Sequence, residues 1–493
     1  MKIGFDNEKY LKMQSQKISE RVNEFGGKLY LEFGGKLFDD YHASRVLPGF
    51  EPDSKIRMLS TISDQVEIVI AISATDIAQN KVRQDLGITY DEDVLRLFDK
   101  LTERGLYVGS VVITKYSEDN VSAVNFKTRL EHNKIRVYRH YQIDGYPIDV
   151  EKIISDNGFG KNDYVETSRN IVVVTAPGPG SGKMATCLSQ MYHDNKRGIK
   201  CGYAKYETFP IFNLPLNHPV NIAYEAATAD LNDVNMIDPW HLAAYGISTV
   251  NYNRDVEVFP VLNAMFTKML GSSPYKSPTD MGVNMAGFCI SNDDICSEES
   301  KQEIIRRYLT AKVLARLGRI SNSVVDKLHI IMSKLNLSVE DRRVVTAARD
   351  YAKQSSRNAA ALELADGTII LGRESALLSS ASALILNALK HLAKLPDVKL
   401  IAPQALRPIQ TLVRKGYGSD EAQLYANEAL IALSVSASVN PLADLALEQL
   451  AKLRGCQVHL TSIPSHADEK IFRKLGLQTT ADPVYPSSKV YFG

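Results

Sequence analysis

Residues 170–190, NIVVVTAPGPGSGKMATCLSQ, combine a β-branched run, a cluster of glycines and one lysine ahead of an apolar helix. This order is typical of a phosphate-binding loop, in which main-chain N–H groups surround an anion at the positive end of a helix. The side chain of Lys183 can reach the same phosphate. We therefore predict phosphate binding by Gly178, Gly180, Ser181, Gly182 and Lys183.

The loop departs from the standard pattern G-x-x-x-x-G-K-[ST] at two positions. Pro177 stands where the first glycine belongs, and Met184 replaces the serine or threonine whose hydroxyl binds magnesium. Ser181 and Thr186 lie close enough in sequence to supply that hydroxyl. A plain strand–helix turn needs the same glycines, so this alternative stays open beside phosphate binding, which is the interpretation we adopt.

Charged residues that follow the loop could complete a phosphate site. Lys205 lies in the next strand-like segment, residues 202–211, and ligands gather at the carboxyl ends of parallel strands. We expect it to contact the same phosphate. The apolar run VNIAYEAATADL then carries Glu225 and Asp230, which we expect at the end of a further strand. Carboxylates there can hold Mg²⁺ or act as a base, whereas the alternative is a pair of surface or capping acids.

Two polar segments further along carry side chains suited to a second substrate. NYNRDVE, residues 251–257, contains the planar guanidinium of Arg254, which fits a carboxylate or a phosphate, although a structural Arg–Asp network explains it equally well. YKSPTDMGVN, residues 275–284, is rich in hydroxyl, amide and cationic groups. We predict substrate binding by Asn253, Arg254, Lys276, Ser277, Thr279, Asp280 and Asn284.

Other candidate residues give weaker signals. His218 and His241 could serve as acid–base groups, but neither has a recognisable catalytic partner in the sequence. The acids of SNDD, residues 291–294, are expected at a solvated helix N-terminus, where negative charge is favoured. The five cysteines are scattered and never spaced as C-x-x-C, so they are expected to be reduced core residues.

The chain alternates strands with helices, which is the arrangement needed to position these residues. Residues 66–73 form a continuous β-branched run, typical of a strand buried on both faces of a parallel sheet, and residues 106–114 are also strand-like. The predicted fold class is therefore α/β, with parallel or mostly parallel sheets flanked by helices and a phosphate-loop-like N-terminal part. A helical tract over about 297–352, with breaks near Gly318 and Ser338, leads to a second, smaller α/β domain.

We place an N-terminal α/β region at residues 1–325 and a C-terminal α/β domain at residues 326–493, with a division of the first region near residue 160 as an alternative. In the second domain, small residues line one helix face, where they allow close packing against the domain's own sheet or against another subunit: Ser380, Ala381, Ala383 and Ala388. We expect a homo-oligomer.

Bulk composition excludes several classes of protein. The 493 residues include 58 Lys+Arg against 57 Asp+Glu and carry no long basic run, which argues against nucleic-acid binding through many phosphate contacts. No stretch approaches the roughly 18 uninterrupted apolar residues that span a bilayer. The N-terminus lacks the apolar core and small-residue cleavage site of a secretory signal, so a cytoplasmic location is expected.

Several long strings resemble the bacterial uncharacterised protein family 0371: APGPGSGKMATCLSQMYHD, AYEAATADLNDVNMIDP, VNYNRDVE and YKSPTDMGVN. The resemblance covers nearly the whole chain, including IPSHADEKIFRKLGLQTTADPVY near the C-terminus. It implies a bacterial cytoplasmic protein built in two parts. The family has no assigned activity, so the mechanism must come from the residues themselves.

Two shorter resemblances concern phosphate contacts. The G-K loop, its helix and CGYAKYETFPI are similar to the dethiobiotin-synthetase-like branch of phosphate-loop enzymes, which implies that Lys183 and Lys205 contact phosphate. Pro177 and Met184 depart from that branch in loop length and in the metal-binding hydroxyl. LEFGGKLF, with its Gly-Gly-Lys at residues 34–36, resembles the first phosphate-contacting loop of amino-acid kinases.

The resulting hypothesis is an enzyme that binds a nucleotide such as ATP, or another phosphorylated small molecule, at the Gly178–Lys183 loop. Lys183 would stabilise phosphate charge, and Glu225 or Asp230 would hold Mg²⁺ or act as the base in phosphoryl transfer or ATP-dependent ligation. The alternative is a non-catalytic, regulatory protein that binds a nucleotide or phosphometabolite. Met184 favours this alternative, whereas the polar residues downstream favour the enzyme.

Overall fold

The structure is a computed structural model that describes residues 3–35, 37–38, 40–83, 86–416 and 423–487. The chain divides into two compact units, of which the first ends at Ser300 and the second begins at Lys301. The division predicted between residues 325 and 326 lies in the helical tract that follows this point. None of the described helices is both long enough and apolar enough to cross a membrane.

The first unit is built on a parallel sheet of seven strands, counted over the described residues, with two short hairpins beside it. The sheet order is β11-β8-β1-β7-β2-β5-β6, and β3–β4 and β9–β10 form the hairpins. The strands are β1 (Leu29–Phe33), β2 (Val66–Ser73), β3 (Val82–Arg83), β4 (Ile88–Thr89), β5 (Tyr107–Tyr116), β6 (Val137–Tyr141), β7 (Ile171–Thr175), β8 (Gly202–Tyr206), β9 (Asn235–Ile237), β10 (Val250–Tyr252) and β11 (Gly282–Val283).

The predicted strands at 66–73 and 106–114 are confirmed as β2 and β5, and every residue of β2 is buried. Full burial on both faces explains why the run is continuously apolar rather than alternating. Strands from both sides of residue 160 lie next to one another in the sheet, since β7 and β8 flank β1. The carboxyl ends of β7, β1 and β8 therefore meet at one edge.

Helices cover the sheet of the first unit. One face packs under α8 and α11, and their shared core contains Tyr30, Val172, Leu188 and Phe266. The helices are α1 (Asn7–Glu24), α2 (Tyr41–Val46), α3 (Ser54–Thr61), α4 (Ala74–Ala78), α5 (Tyr90–Glu103), α6 (Val121–His132), α7 (Val150–Ile153), α8 (Lys183–Lys196), α9 (Pro219–Ala227), α10 (Pro239–Tyr245), α11 (Asn253–Leu270), α12 (Pro278–Met281) and α13 (Asp293–Arg316), with 3-10 turns at Ser63–Gln65, Phe159–Lys161 and Ala286–Cys289.

The second unit contains a four-stranded sheet, counted over the described residues, in the order β13-β12-β14-β15. Only β14 and β15 are parallel, and the pairs made by β12 are antiparallel. The expectation of a mostly parallel sheet is therefore wrong for this unit. The strands are β12 (Ala359–Glu363), β13 (Ile369–Arg373), β14 (Gln457–Leu460) and β15 (Gln478–Ala481).

The helical tract predicted over 297–352 is confirmed, with breaks after Arg316 and Lys334. Further along, Ala381 and Ala388 of α16 are buried in the second unit's own core, which shows that the small-residue face packs on its own sheet. The remaining helices are α14 (Asn322–Lys334), α15 (Arg343–Ser355), α16 (Ser380–Leu392), α17 (Pro403–Gly416), α18 (Ala426–Ala437), α19 (Pro441–Leu447) and α20 (His466–Lys474), with 3-10 turns at Val339–Asp341 and Leu450–Leu453. The sequence DEAQLYANEALIALSVSA, residues 420–437, also predicts a helix, and residues 420–422 of it lie outside the described residues.

Candidate functional site

The segment that follows β7 has the predicted order of strand, glycine-rich turn and helix. β7 ends at Thr175 and α8 begins at Lys183. Gly182, which caps α8, has φ +86°, and Gly180 has φ +79°, a left-handed conformation that side chains other than glycine adopt at a cost. The glycines at these two positions are therefore required by the backbone.

The main-chain N–H groups of this turn point to an anion site. The N–H groups of Gly180, Ser181, Gly182 and Lys183 donate to no acceptor in the described parts of the chain, and the first intrahelical bond runs from Thr186 N to Gly182 O. Unsatisfied donors at a helix N-terminus, with the positive end of the helix dipole behind them, favour a bound anion. No acceptor in the described part of the chain thus occupies these four N–H groups.

Neighbouring side chains fix the turn in place. Thr114 on β5 donates its hydroxyl to Ser181 O over 2.8 Å. Gly178 faces the ring of Tyr90, and a Cβ atom there would lie 2.2 Å from the phenolic oxygen. Contacts on two sides therefore determine the path of the loop, which is the preorganisation that an anion-binding loop needs.

The two hydroxyls considered as substitutes for the missing metal-binding Ser/Thr are buried inside this turn. Ser181 donates to Gly178 O and Thr186 to Gly182 O, each over 3.0 Å. Both residues have a relative exposure of 0%. Neither hydroxyl is accessible to a metal ion in this arrangement, so Met184 is not compensated by a neighbour.

Lys183 is partly buried at the start of α8. Its side chain makes no hydrogen bond or ion pair with any residue that the structure describes. Burial lowers the pKa of its ammonium below the usual value; Glu32 opposes this shift, whereas Lys205 adds to it. A bound anion would stabilise the charged form of Lys183, because an ion pair would replace the interactions with water that burial removed.

Glu32 lies on β1, an interior strand of the sheet, with only 8% of its surface exposed. It is in register with Val174 on β7 and Lys205 on β8, on the sheet face that α8 covers. The hydroxyl of Tyr203 donates to Glu32 Oε2 over 2.6 Å. Sequence reasoning missed this residue, although a single acid inside the apolar run LYLEF is a signal for a functional position.

Lys205 is the centre of a charged cluster at the end of β8. Its ammonium lies 2.7 Å from Glu207 Oε1 and 2.6 Å from the Tyr252 hydroxyl, and it also donates to Asp255. Tyr252 in turn donates to Glu207. The three donors of the ammonium are thus used inside the protein, and contact between Lys205 and phosphate, which stays a prediction, would require one of them to be released.

Electrostatic interactions in this cluster keep Lys205 in its charged form. Burial alone would lower the pKa of Lys205, but Asp255 and Glu207 outweigh it and raise that pKa above the usual value. Burial raises the pKa of Glu207, and Lys205 opposes the rise. A carboxyl group with a raised pKa beside a charged lysine is a pattern seen at functional sites and at structural ion pairs alike.

Arg254, predicted to bind substrate, lies beside this cluster. It is the second residue of α11, and its side chain is 54% exposed. Its guanidinium carbon lies 5.3 Å from the centre of the Tyr252 ring, and it donates to the buried carboxylate of Asp233 over 3.3 Å. Asn253 accepts a hydrogen bond from Val234 N. Arg254 keeps further donors facing solvent at the carboxyl edge, so the arrangement fits a second anionic group, whereas Asn253 anchors the chain.

The predicted substrate segment at 276–284 is held by its own hydrogen bonds. Ser277 caps α12 by accepting from Asp280 N, Thr279 donates to Asp238 over 2.6 Å, and the buried Asn284 donates to Thr208 O and Pro210 O. Lys276 lies over the ring of Tyr245. Within the described chain no hydrogen bond links these side chains to Lys183, and their substrate role stays a prediction.

Glu225 and Asp230 do not lie at the end of a sheet strand. The run VNIAYEAATADL forms most of α9, because His218 caps that helix and Pro219 starts it. Glu225 is buried and engaged with other residues, whereas Asp230 is exposed beyond the helix. The strand placement is therefore wrong, and their role toward Mg²⁺ or as a base stays a prediction. No cluster of three metal-ligating side chains occurs in the described ranges.

The two histidines and the acids at 291–294 have structural partners. His218 Nε2 lies 3.0 Å from Asp293, in the first turn of α13, which confirms the expected helix N-terminus. His241 Nδ1 lies 2.9 Å from the Ser277 hydroxyl. In the Gly-Gly-Lys segment after β1, Gly34 N donates to Tyr206 O, and Lys36 lies outside the described residues.

Together, the fold and the site define a two-unit α/β protein whose parallel sheet presents a glycine turn, a lysine and buried carboxylates at one edge. Residues 3–336 match the family described as domain of unknown function DUF1846, N-terminal, and residues 340–491 match domain of unknown function DUF1846, C-terminal.

The chain is 56% identical over 490 residues to a UPF0371 protein of Corynebacterium urealyticum, and 54% identical over 491 residues to a UPF0371 protein of Streptococcus thermophilus. Each match covers 99% of both chains. The chain belongs to this uncharacterised family, and the resemblance found in its sequence is confirmed. Similarity to dethiobiotin-synthetase-like enzymes is not shown by these comparisons and stays a prediction.

Proposed function

We propose that the protein is an enzyme that binds a nucleotide such as ATP, or another phosphorylated small molecule, at the Gly178–Lys183 loop. The observation that carries this proposal is the coincidence of free main-chain N–H groups with the unpaired ammonium of Lys183 at the start of a 14-residue helix. Either feature alone is common, but together they provide several donors and a positive charge for one phosphate group.

The residues around the loop suggest phosphoryl transfer or ATP-dependent ligation. Lys183 would stabilise the charge that develops on the transferred phosphate. Arg254 would hold an anionic group of the second substrate, with the segment at 276–284 completing that side. Glu225 or Asp230 would hold Mg²⁺ or act as the base. We also propose a cytoplasmic homo-oligomer that acts on a small molecule rather than on nucleic acid.

A non-catalytic role is favoured by one specific observation. Met184 occupies the position of the metal-binding hydroxyl, and the hydroxyls of Ser181 and Thr186 are buried and bonded to main-chain carbonyls. A loop without a metal ligand can bind phosphate and still fail to activate it. The second candidate function is therefore regulation by a bound nucleotide or phosphometabolite.

Thermal unfolding tests phosphate binding directly. Wild-type protein is heated with ATP, GTP, NAD, sugar phosphates and inorganic phosphate, each with and without Mg²⁺. A ligand at 100 times its Kd should stabilise the fold by about 2.7 kcal/mol, and Lys183→Met should lose most of that gain. Lys196→Met is the matched control, since Lys196 lies exposed at the opposite end of the same helix.

The melting temperatures and a test for turnover distinguish the enzyme from the regulatory protein, and both from a loop that binds no phosphate. If no phosphate compound raises the melting temperature, or if Lys183→Met responds as strongly as wild type, phosphate binding at this loop is refuted. If binding occurs but no turnover is found with a panel of hydroxyl, amine and carboxylate acceptors, the regulatory candidate is favoured over the enzyme.

A further inference from the structure

Glu32 is a buried carboxylate at the edge of the sheet where the glycine turn begins. Only 8% of its surface is exposed, and its strand lies between β7, which leads into the turn, and β8, which carries Lys205. Because parallel strands place register partners side by side, its side chain lies on the face covered by α8, near the first residue of that helix. The position is therefore beside the proposed phosphate.

The partners of Glu32 do not account for its charge. Tyr203 donates one neutral hydrogen bond to Oε2, and within the described chain no ammonium or guanidinium lies within ion-pair distance of Glu32 and no donor is bonded to Oε1. Buried carboxylates in proteins are paired with a cation or coordinate a metal, because an isolated buried charge is costly. One oxygen of Glu32 thus lacks a partner among the residues that the structure describes.

Neither of the nearby lysines, Lys183 and Lys205, is an ion-pair partner of Glu32. The ammonium of Lys205 is held by Glu207, Asp255 and Tyr252, so its donors are used. Lys183 and Glu32 interact through space but form no ion pair. A ligand between them must therefore offer an acceptor to Lys183 and a positive charge to Glu32. A metal-bound phosphate has both properties in one group.

We infer that Glu32 is a ligand of the divalent cation that accompanies the phosphate compound. Mg²⁺ is commonly bound by one or two carboxylates plus substrate phosphates, and it keeps several waters. A single carboxylate beside the loop is thus enough, which agrees with the lack of a larger ligand cluster in the part of the chain that the structure describes. The negative phosphate offsets the repulsion between the cation and Lys183. This inference rests on the proposed function.

Other carboxylates are less suitable. Glu207 and Asp255 are already neutralised by Lys205, and a cation there would have to displace its ammonium. Glu225 is engaged elsewhere on α9, and Asp230 is exposed. Glu32 is the acid that combines burial, an oxygen without a bonded donor and a place next to the loop. Tyr203, which holds its other oxygen, is a positioning residue.

Mn²⁺ binding measured by electron paramagnetic resonance tests the inference. Free Mn²⁺ is titrated with wild type, Glu32→Gln, Glu32→Asp, the rival-ligand variant Glu225→Gln and the control Glu131→Gln, each alone, with ATP and with inorganic phosphate. We expect Glu32→Gln to weaken Mn²⁺ binding in the presence of the phosphate compound by about tenfold or more. Glu32→Asp, which keeps the charge, should lie between this variant and wild type, and Glu131→Gln, at an exposed acid on α6, should match wild type.

A parallel thermal-unfolding series without metal shows whether each variant still folds and binds the phosphate compound. If Glu32→Gln binds Mn²⁺ like wild type, or if Glu225→Gln alone loses it, Glu32 is not the ligand while the phosphate site stands. If wild type gains nothing from Mn²⁺ although ATP or phosphate stabilises it, the inference is likewise overturned. If neither ATP nor phosphate stabilises wild type, the proposed function itself fails, and the inference fails with it.

Discussion

Lys205 on β8 and Asp255 in the first turn of α11 form an ion pair in which both side chains are almost fully buried. The same ammonium lies 2.7 Å from Glu207. One lysine therefore neutralises two carboxylates that come from a strand and from a helix, and it fixes the start of α11 to the edge of the sheet.

Replacing Lys205 by Met should destabilise the protein by about 3–5 kcal/mol at pH 7, because it leaves two carboxylates facing each other with little water. The raised pKa of Glu207 gives the sign of the pH dependence. A carboxyl group whose pKa is raised in the folded state binds its proton more tightly there. The free energy of unfolding that Lys205→Met loses should therefore become smaller as the pH falls through the pKa of Glu207. Urea unfolding between pH 4.5 and 8 measures the effect.

The double variant Lys205→Met, Asp255→Asn is the control for this prediction. It removes one of the two negative charges that the single variant exposes, so part of the lost free energy of unfolding should return at pH 7. A double variant no more stable than Lys205→Met would show that repulsion between the carboxylates is not the cause.

The turn before α8 allows backbone strain and side-chain crowding to be separated. Gly180 and Gly182 both have a positive φ, but a methyl group on Gly180 would meet nothing within 4 Å, whereas one on Gly182 would lie 2.9 Å from Thr114 Cγ2. Gly180→Ala should cost about 1–2 kcal/mol from conformation alone. Gly182→Ala should cost about 1–3 kcal/mol more from overpacking.

Denaturant unfolding of both variants, with Gly182→Ala also measured in a Thr114→Ser background, checks this assignment. Thr114→Ser removes the methyl group but keeps the hydroxyl that donates to Ser181 O. If the smaller side chain does not reduce the extra cost at Gly182, crowding against the Thr114 methyl group is not its origin.

The elements of the sheet could be predicted where composition is unambiguous. VEIVIAIS and IVVVT are β-branched runs, and both are strands. VNIAYEAATADL was misassigned because a short apolar run has the same appearance in a buried strand and in a buried helix. Pro219, directly before it, was the available signal, since proline is favoured in the first turn of a helix.

The site itself depended on strand order, which the sequence does not reveal. β1 is the first strand of the chain and yet lies between β7 and β8. That order brings Glu32 beside Lys205 and close to Lys183, although they are more than 140 residues apart in the chain. The loop could be found from local spacing, and the single acid in LYLEF could have been noticed, but its place beside the loop follows only from the strand order.

Asp468 in the second unit should make stability depend on pH. Burial raises its pKa from 3.8 to about 6, although it caps α18 by accepting from Ala426 N over 2.7 Å. The folded state therefore binds the proton more tightly than the unfolded chain, and stability should fall as the pH rises from 4 to 6. The full effect of this shift corresponds to about 3 kcal/mol.

Asp468→Asn should remove this dependence, since asparagine is neutral and its oxygen can still accept from Ala426 N. We expect the variant to be at least as stable as wild type at pH 7, and to show a smaller change in unfolding free energy between pH 4 and 6. Identical pH profiles for the two proteins would exclude Asp468 as the group responsible.

The lowered pKa of Lys183 predicts how phosphate binding changes with pH. Burial lowers the pKa of its ammonium, and only the charged form attracts an anion. ATP affinity should therefore decrease with rising pH, and the decrease should begin at a lower pH than it would for an ordinary lysine. Phosphate groups are already ionised above pH 8, so their own titration does not contribute in this range.

Lys183→Arg isolates the contribution of the lysine proton, because a guanidinium stays charged at every pH in the experiment. Calorimetric titration of ATP at pH 8, 9 and 10 should show a falling affinity for wild type and a nearly constant affinity for the arginine variant. The same slope in both proteins would mean that another group controls the pH dependence. The ammonium of Lys183 would then not be the group that contacts the phosphate.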